Sequence, residues 1–119
     1  MPRMIFVNLP VSNLPHSMAF YEALGFTNNL QCTDETAACM VWSEAIHEML
    51  LRHDKWRTFT DRPIPPPTSS EVSLALDSRE AVDAMIKAAA ANGGTAHINP
   101  VHELGFVYAR DLADPDGHI

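Results

Sequence analysis

Hydrophobic and polar positions alternate first with a period of two, then of about 3.6, and this order of periods occurs twice along the chain. The opening run MIFVNLPV places Ile5, Val7 and Leu9 on one side and Phe6, Asn8 and Pro10 on the other, which predicts a strand with two distinct faces. SNLPHSMAFYEALGF follows as a helix. Asn13 is suited to cap it, Pro15 is tolerated in its first turn, and Leu14, Met18, Tyr21 and Leu24 form an apolar stripe. Gly25-Phe26 is a left-handed stop with its hydrophobic contact. Three short strand-like runs come next, FTNNLQCT, TAACMVW and IHEMLLRH, and then a helical turn at DKWRTF.

DRPIPPPTSS interrupts the pattern. Four prolines between positions 63 and 67 can sit neither in a helix interior nor in a central strand, so residues 62–70 are expected to link two modules, 1–61 and 71–119. The second module repeats the first. EVSLALD is a strand, and Ser78 caps a helix REAVDAMIKAAAAN with a face of Val82, Met85 or Ile86, and Ala89. Asn92-Gly93-Gly94 ends it, and TAHINPV and GFVYARDLA are further strands. Asp114-Pro115-Asp116-Gly117 is turn chemistry leading to His118 and Ile119, so the last strand is expected to be truncated. The predicted class is α+β: two tandem βαβββ modules, each leaving one sheet face to be covered.

Composition narrows the functions available. Eight basic against fifteen acidic side chains give a formal charge of -7, which disfavours nucleic acid and anionic membranes and mildly favours a cationic small molecule. No apolar run approaches a membrane span. Cys32 and Cys39 fit neither a zinc spacing nor a disulfide framework, so buried reduced thiols and a cytoplasmic setting are expected. Phosphate-loop, nucleophile-elbow and H-E-x-x-H motifs do not occur. The six histidines are expected at the surface, with His47 and His53 too far apart along a strand to share an ion.

VSNLPHSMAFYEALGF, the paired modules and the closing DPDGHI resemble the glyoxalase, bleomycin-resistance and extradiol-dioxygenase superfamily, also called the vicinal oxygen chelate fold. DETAACMVWSE, FTDRPI and DSREAVDAM are similar to its branch of predicted lactoylglutathione-lyase-like proteins. The resemblance implies a curled mixed sheet around a cleft, often completed in a homodimer. It also implies, in metal-dependent members, ligands at recurring positions. Those positions fall here on Phe6, on Glu71, near Leu50, and three residues beyond Ile119. Phe6 has no lone pair to offer, so Glu71 is the one weak candidate ligand and no metal is expected to be held.

The expectation is therefore a protein that binds a small molecule in its cleft with no cofactor. Phe6, Asn8, Trp42, Glu71, Tyr108 and Arg110 are its candidate pocket residues, and its catalytic residues are unknown. Arg110 is equally suited to hold a carboxylate ligand or to pair with an acid of the protein itself. The alternative is a metal-dependent lyase or isomerase of the lactoylglutathione-lyase type, with a divalent ion as cofactor.

Overall fold

A computed structural model of the 119-residue chain describes residues 3–66, 72–103, 105 and 108–119. It divides into two compact units, Met1–Pro66 and Pro67–Ile119.

The first unit is a complete βαβββ module. Strand β1 (Ile5–Val11) leads into helix α1 (Leu14–Ala23), followed by β2 (Thr27–Asn28), a 3-10 turn at Leu30–Cys32, β3 (Ala37–Val41), β4 (Ile46–Arg52) and the single turn α2 (His53–Trp56). The sheet order is β1-β4-β3-β2, with β1 parallel to β4 and the other pairs antiparallel. A parallel pairing of β1 with β4 needs a long crossover, which α1 and the β2-β3 ribbon supply.

Local chemistry sets the helix ends. The Asn13 side chain accepts a hydrogen bond from the His16 amide at 3.1 Å. At the other end Gly25 takes φ +108°, and Phe26 N–H donates to Tyr21 O while Gly25 N–H donates to Glu22 O, both at 3.1 Å. This is the paired closure that a left-handed residue permits, and the Phe26 ring meets Tyr21 edge-on at 5.3 Å. Of the expected stripe Leu14, Tyr21 and Leu24 are buried and Met18 half-buried, and Ser17 and Phe20 join the buried face. The Phe20 ring meets Tyr21 edge-on with centroids 5.1 Å apart.

Register divides the sheet into two faces. Leu9 pairs with Leu50, and Leu50 with Ala38. With Val11 and Met40 these side chains are 0–1% exposed and form the core beneath α1. The opposite face carries Phe6, Asn8 and Pro10 of β1, His47, Met49 and Leu51 of β4, and Ala37, Cys39 and Val41 of β3.

FTNNLQCT is a strand only over Thr27–Asn28. The Asn29 carboxamide accepts from the Gln31 amide at 3.1 Å and turns the chain into the 3-10 segment, and Asp34 then accepts from Thr36 and Ala37. Short polar side chains bonding to nearby backbone compete with the ladder here. Of the two thiols expected to be buried, Cys39 of β3 is, whereas Cys32, at the end of the 3-10 segment, is exposed. Those bonds hold the Asp34 carboxyl below its ordinary value, the Thr36 hydroxyl contributing most.

The second unit is built around α3 (Arg79–Ala91), capped by the Ser78 hydroxyl, which accepts from Ala81 N–H at 3.1 Å. Ile86 and Ala89 are its buried residues, and Val82 and Met85 are half-buried. Among the described residues β5 (Thr95–Ala96) pairs with β8 (Leu112–Ala113), and β6 (His102–Glu103) pairs with β7 (Tyr108–Ala109), both antiparallel. TAHINPV stops short as a strand because His97 adopts φ +58° and ends the ladder. GFVYARDLA is likewise divided into β7 and β8, with Phe106 and Val107 outside the described residues.

The expected strand EVSLALD has no ladder over Val72–Leu76. It keeps the alternation of half-buried Val72, Leu74 and Leu76 with exposed Ser73 and Ala75, and Val72 N–H donates to Ile119 O at 2.9 Å. The DPDG turn closes as expected: Asp114 N–H donates to His118 O at 2.8 Å, and the Asp114 carboxylate accepts from the amides of Asp116 and His118. The hairpin between β3 and β4 closes in the same way, Trp42 N–H donating to Ile46 O at 3.0 Å.

Candidate functional site

The candidate site lies on the face of the first sheet opposite α1. β1 and β4 are neighbours in parallel register, so Phe6 stands beside His47 and Asn8 beside Met49. The Phe6 and His47 rings stack with centroids 4.6 Å apart and planes inclined by 13°. Phe6 is 50% exposed and Asn8 is exposed, whereas His47 beneath the stack is only 6% exposed. Its Nδ1 is buried without a hydrogen-bond partner. A buried ring nitrogen with no partner is uncommon in a native interior and marks the position for scrutiny.

Two expectations change here. His47 and His118 are not surface histidines, being 6% and 3% exposed: the Phe6 ring stacks on His47, and the His118 amide donates to the Asp114 carboxylate. Leu50 does not stand near Phe6. It pairs with Leu9 on the α1 side, fully buried, so the positions beside Phe6 and Asn8 are His47 and Met49. Sequence reasoning missed the burial of His47 beside Phe6. The signal available was its parity with Met49 and Leu51 in IHEMLLRH.

Three other candidates have partners within their own units. Trp42 continues the parity of Met40 and packs on the α1 side, its ring 5.0 Å from Phe26 and close to Gly25. Tyr108 and Arg110, in the second unit, converge on Asp83 of α3: the phenol donates at 2.7 Å and the guanidinium at 2.8 Å to the same carboxylate oxygen. Of the two roles open to Arg110, the acid pairing is the one occupied. A second nitrogen of Arg110 lies 2.8 Å from His97 Nδ1. Arg79 lies 4.6 Å over the Tyr108 ring and pairs with Glu103. Arg110, and then Tyr108, hold the Asp83 carboxyl below its ordinary value, and the bond to Asp83 raises the Tyr108 phenol. Glu71 lies outside the described residues.

The donor set around Phe6 does not fit a hard divalent ion. The benzyl group donates nothing, the Asn8 carboxamide offers one neutral oxygen, His47 offers a single imidazole, and Met49 and Cys39 are soft sulfur groups on the same face, with no carboxylate among them. Burial pushes the Cys39 thiol up, away from the thiolate that a metal requires. Among the described residues no three His, Cys, Asp or Glu side chains are grouped to hold an ion. A hollow of about 510 Å3 follows α2, lined by Arg57, Thr60, Asp61, Arg62, Pro63 and Ile64.

A βαβββ module of this order, with a second α/β module after a proline-rich join, defines a class of protein, and comparison with known families agrees. The family model for the Glyoxalase/Bleomycin resistance protein/Dioxygenase superfamily matches residues 3–119, and the chain belongs to that superfamily. Among solved structures it is similar to a hypothetical protein from S. aureus (23% identity, TM-score 0.81, covering 99% of this chain and 90% of that one). It is also similar to a glyoxalase/bleomycin resistance protein/dioxygenase family enzyme from Burkholderia phytofirmans PsJN (19%, TM-score 0.79, 98% and 94%). A third is a glyoxalase/bleomycin resistance protein from Albidiferax ferrireducens T118 (26%, TM-score 0.73, 95% and 90%). No curated protein matches the chain. No helix among the described residues is long and apolar enough to cross a membrane.

Proposed function

We propose that this superfamily member binds a small organic molecule on the Phe6 face of its first sheet, without a resident metal ion, as a cytoplasmic homodimer. The observation that carries the reading is Phe6 itself. A half-exposed benzyl group occupies the strand position to which the resemblance assigns a metal ligand, and it offers a ring for stacking instead. Asn8, exposed two residues along the same face, adds a carboxamide able to donate and accept. Cys32 and Cys39 are both free thiols, in keeping with a reducing compartment. Of the six pocket residues expected from sequence, Phe6 and Asn8 stay in the proposal and Glu71 remains a candidate. Trp42 packs on the α1 side of that sheet, and Tyr108 and Arg110 bond to Asp83 within the second unit.

Thermal melts against a panel of cationic and neutral aromatic compounds test this. Saturable stabilisation that Phe6→Ala and Asn8→Ala each weaken supports the reading, and a panel without any stabilising compound refutes it. The competing lyase reading makes a separate demand. It requires turnover of methylglyoxal-glutathione hemithioacetal on adding a divalent ion, and loss of that turnover in Glu71→Ala.

A further inference from the structure

We propose that the hollow after α2 is a binding site for a small oxyanion, carboxylate or phosphate, carried on an apolar body. It follows the C-terminal end of β4, whereas Phe6 pairs near the start of that strand, so it needs no ligand on the Phe6 face. At about 510 Å3 it has the size of a small-molecule pocket. Its charge runs against that of the chain. Fifteen acids face eight bases overall, yet residues 55–64 hold Lys55, Arg57 and Arg62 against Asp61 alone. Elsewhere the arginines meet carboxylates: Arg52, Arg79 and Arg110 pair with Asp54, Glu103 and Asp83. Among the described residues Arg57 and Arg62 have no such partner, and both line the hollow. Each guanidinium presents a planar fork of donors that matches the edge of a carboxylate or phosphate.

The loop that carries them is held before any ligand arrives. Arg57 N–H donates to His53 O at 3.1 Å, and Thr58 N–H to Lys55 O and Phe59 N–H to Trp56 O at 3.0 Å. Arg62 N–H donates to the Thr60 hydroxyl at 3.1 Å, which leaves that hydroxyl its own proton to donate. Pro63 restricts Arg62 to extended backbone. Binding then orders side chains rather than backbone, which lowers its cost. Pro63 and Ile64 supply an apolar wall, and the ligand's apolar body is assigned to it. Asp61 opposes an anion and holds the affinity below what two arginines alone would give.

Titration of the full chain at low ionic strength with benzoate, phenyl phosphate, inorganic phosphate and neutral benzamide tests this, with the arginine Nε–H resonances followed by NMR. The tighter of benzoate and phenyl phosphate identifies the oxyanion. It is expected to shift the Arg57 and Arg62 resonances saturably, to bind at least about tenfold tighter than benzamide, and to weaken as salt is raised. Arg57→Gln and Arg62→Gln should each cost about tenfold, and Asp61→Asn should tighten binding severalfold. That last effect is a gain, which a poorly folded variant would not give. Equal affinity for the anions and benzamide, absence of binding by both benzoate and phenyl phosphate, or anion affinity unchanged in both arginine variants overturns the proposal. Inorganic phosphate binding as tightly as phenyl phosphate overturns the apolar body.

Discussion

Replacing His47 with phenylalanine is expected to stabilise the protein, against the usual direction for a buried position. An unsatisfied buried polar atom costs about 1–3 kcal/mol, and exchanging it for an apolar group of similar shape recovers much of that. His47 is 6% exposed with Nδ1 unpartnered, and its ring is stacked on Phe6 at 4.6 Å. A phenyl ring preserves the stacked geometry, and an aromatic pair contributes roughly 0.5–1.5 kcal/mol beyond its area. The slightly larger ring would strain a rigid core, but its neighbour Phe6 is half exposed and can shift outward. A net gain of about 1–2 kcal/mol remains, or about 3–8 °C in Tm for a domain of this size. Urea melts of wild type, His47→Phe and His47→Leu, with the slope checked for constancy, measure it. Both variants losing stability would refute the reasoning, because it would mean that Nδ1 is already paired, with water or another group.

Gly25→Ala is expected to destabilise by about 1–2 kcal/mol. The Cβ would meet only Trp42 at 3.9 Å, so the cost comes from φ +108° rather than from a clash, and Gly25→Asn should cost less. Phe20→Ala, at a fully buried ring, should cost about 3–5 kcal/mol by denaturant melts, the largest single loss among these variants. Removal of the Asn13 cap by alanine should cost about 1 kcal/mol. Asp34, Asp54 and Asp83 have carboxyls held below their ordinary value by hydrogen bonds, so each favours the folded state above its unfolded pKa of about 3.9 and loses that contribution as pH falls through the folded value. Stability should therefore decline below about pH 4, and Asp83→Asn should flatten part of that decline in melts followed from pH 7 to pH 2. An unchanged acid limb in that variant would show that the Tyr108-Asp83-Arg110 contacts do not persist in solution.

The fold was largely legible because the first module states it several times over. Strand alternation, the Asn13 cap, the Gly25-Phe26 stop and the repeat after the proline-rich join all point one way. The site was legible in part. Phe6 and Asn8 could be assigned to one face from parity alone, and the structure keeps them together there. Trp42 could not be assigned, because parity separates faces without saying which one a helix covers, and that was decided by the Phe26 contact. Tyr108 and Arg110 share Asp83 as their partner, which lies 25 and 27 positions away on α3, and nothing local announces it. His47 was hidden by the habit of reading a lone histidine as a surface group, when the β1-β4 register beside Phe6 is what buries it. The end of β5 follows from His97 at positive φ, which its strand-like surroundings do not signal.

The central claim is that the benzyl group at position 6 excludes a resident ion. Elemental analysis of chain purified without chelator, after dialysis against nickel and zinc, tests it most directly. The account predicts well under one metal per chain, and no gain on comparing Glu71→Ala with wild type. One tightly held ion per chain that Glu71→Ala releases would contradict it.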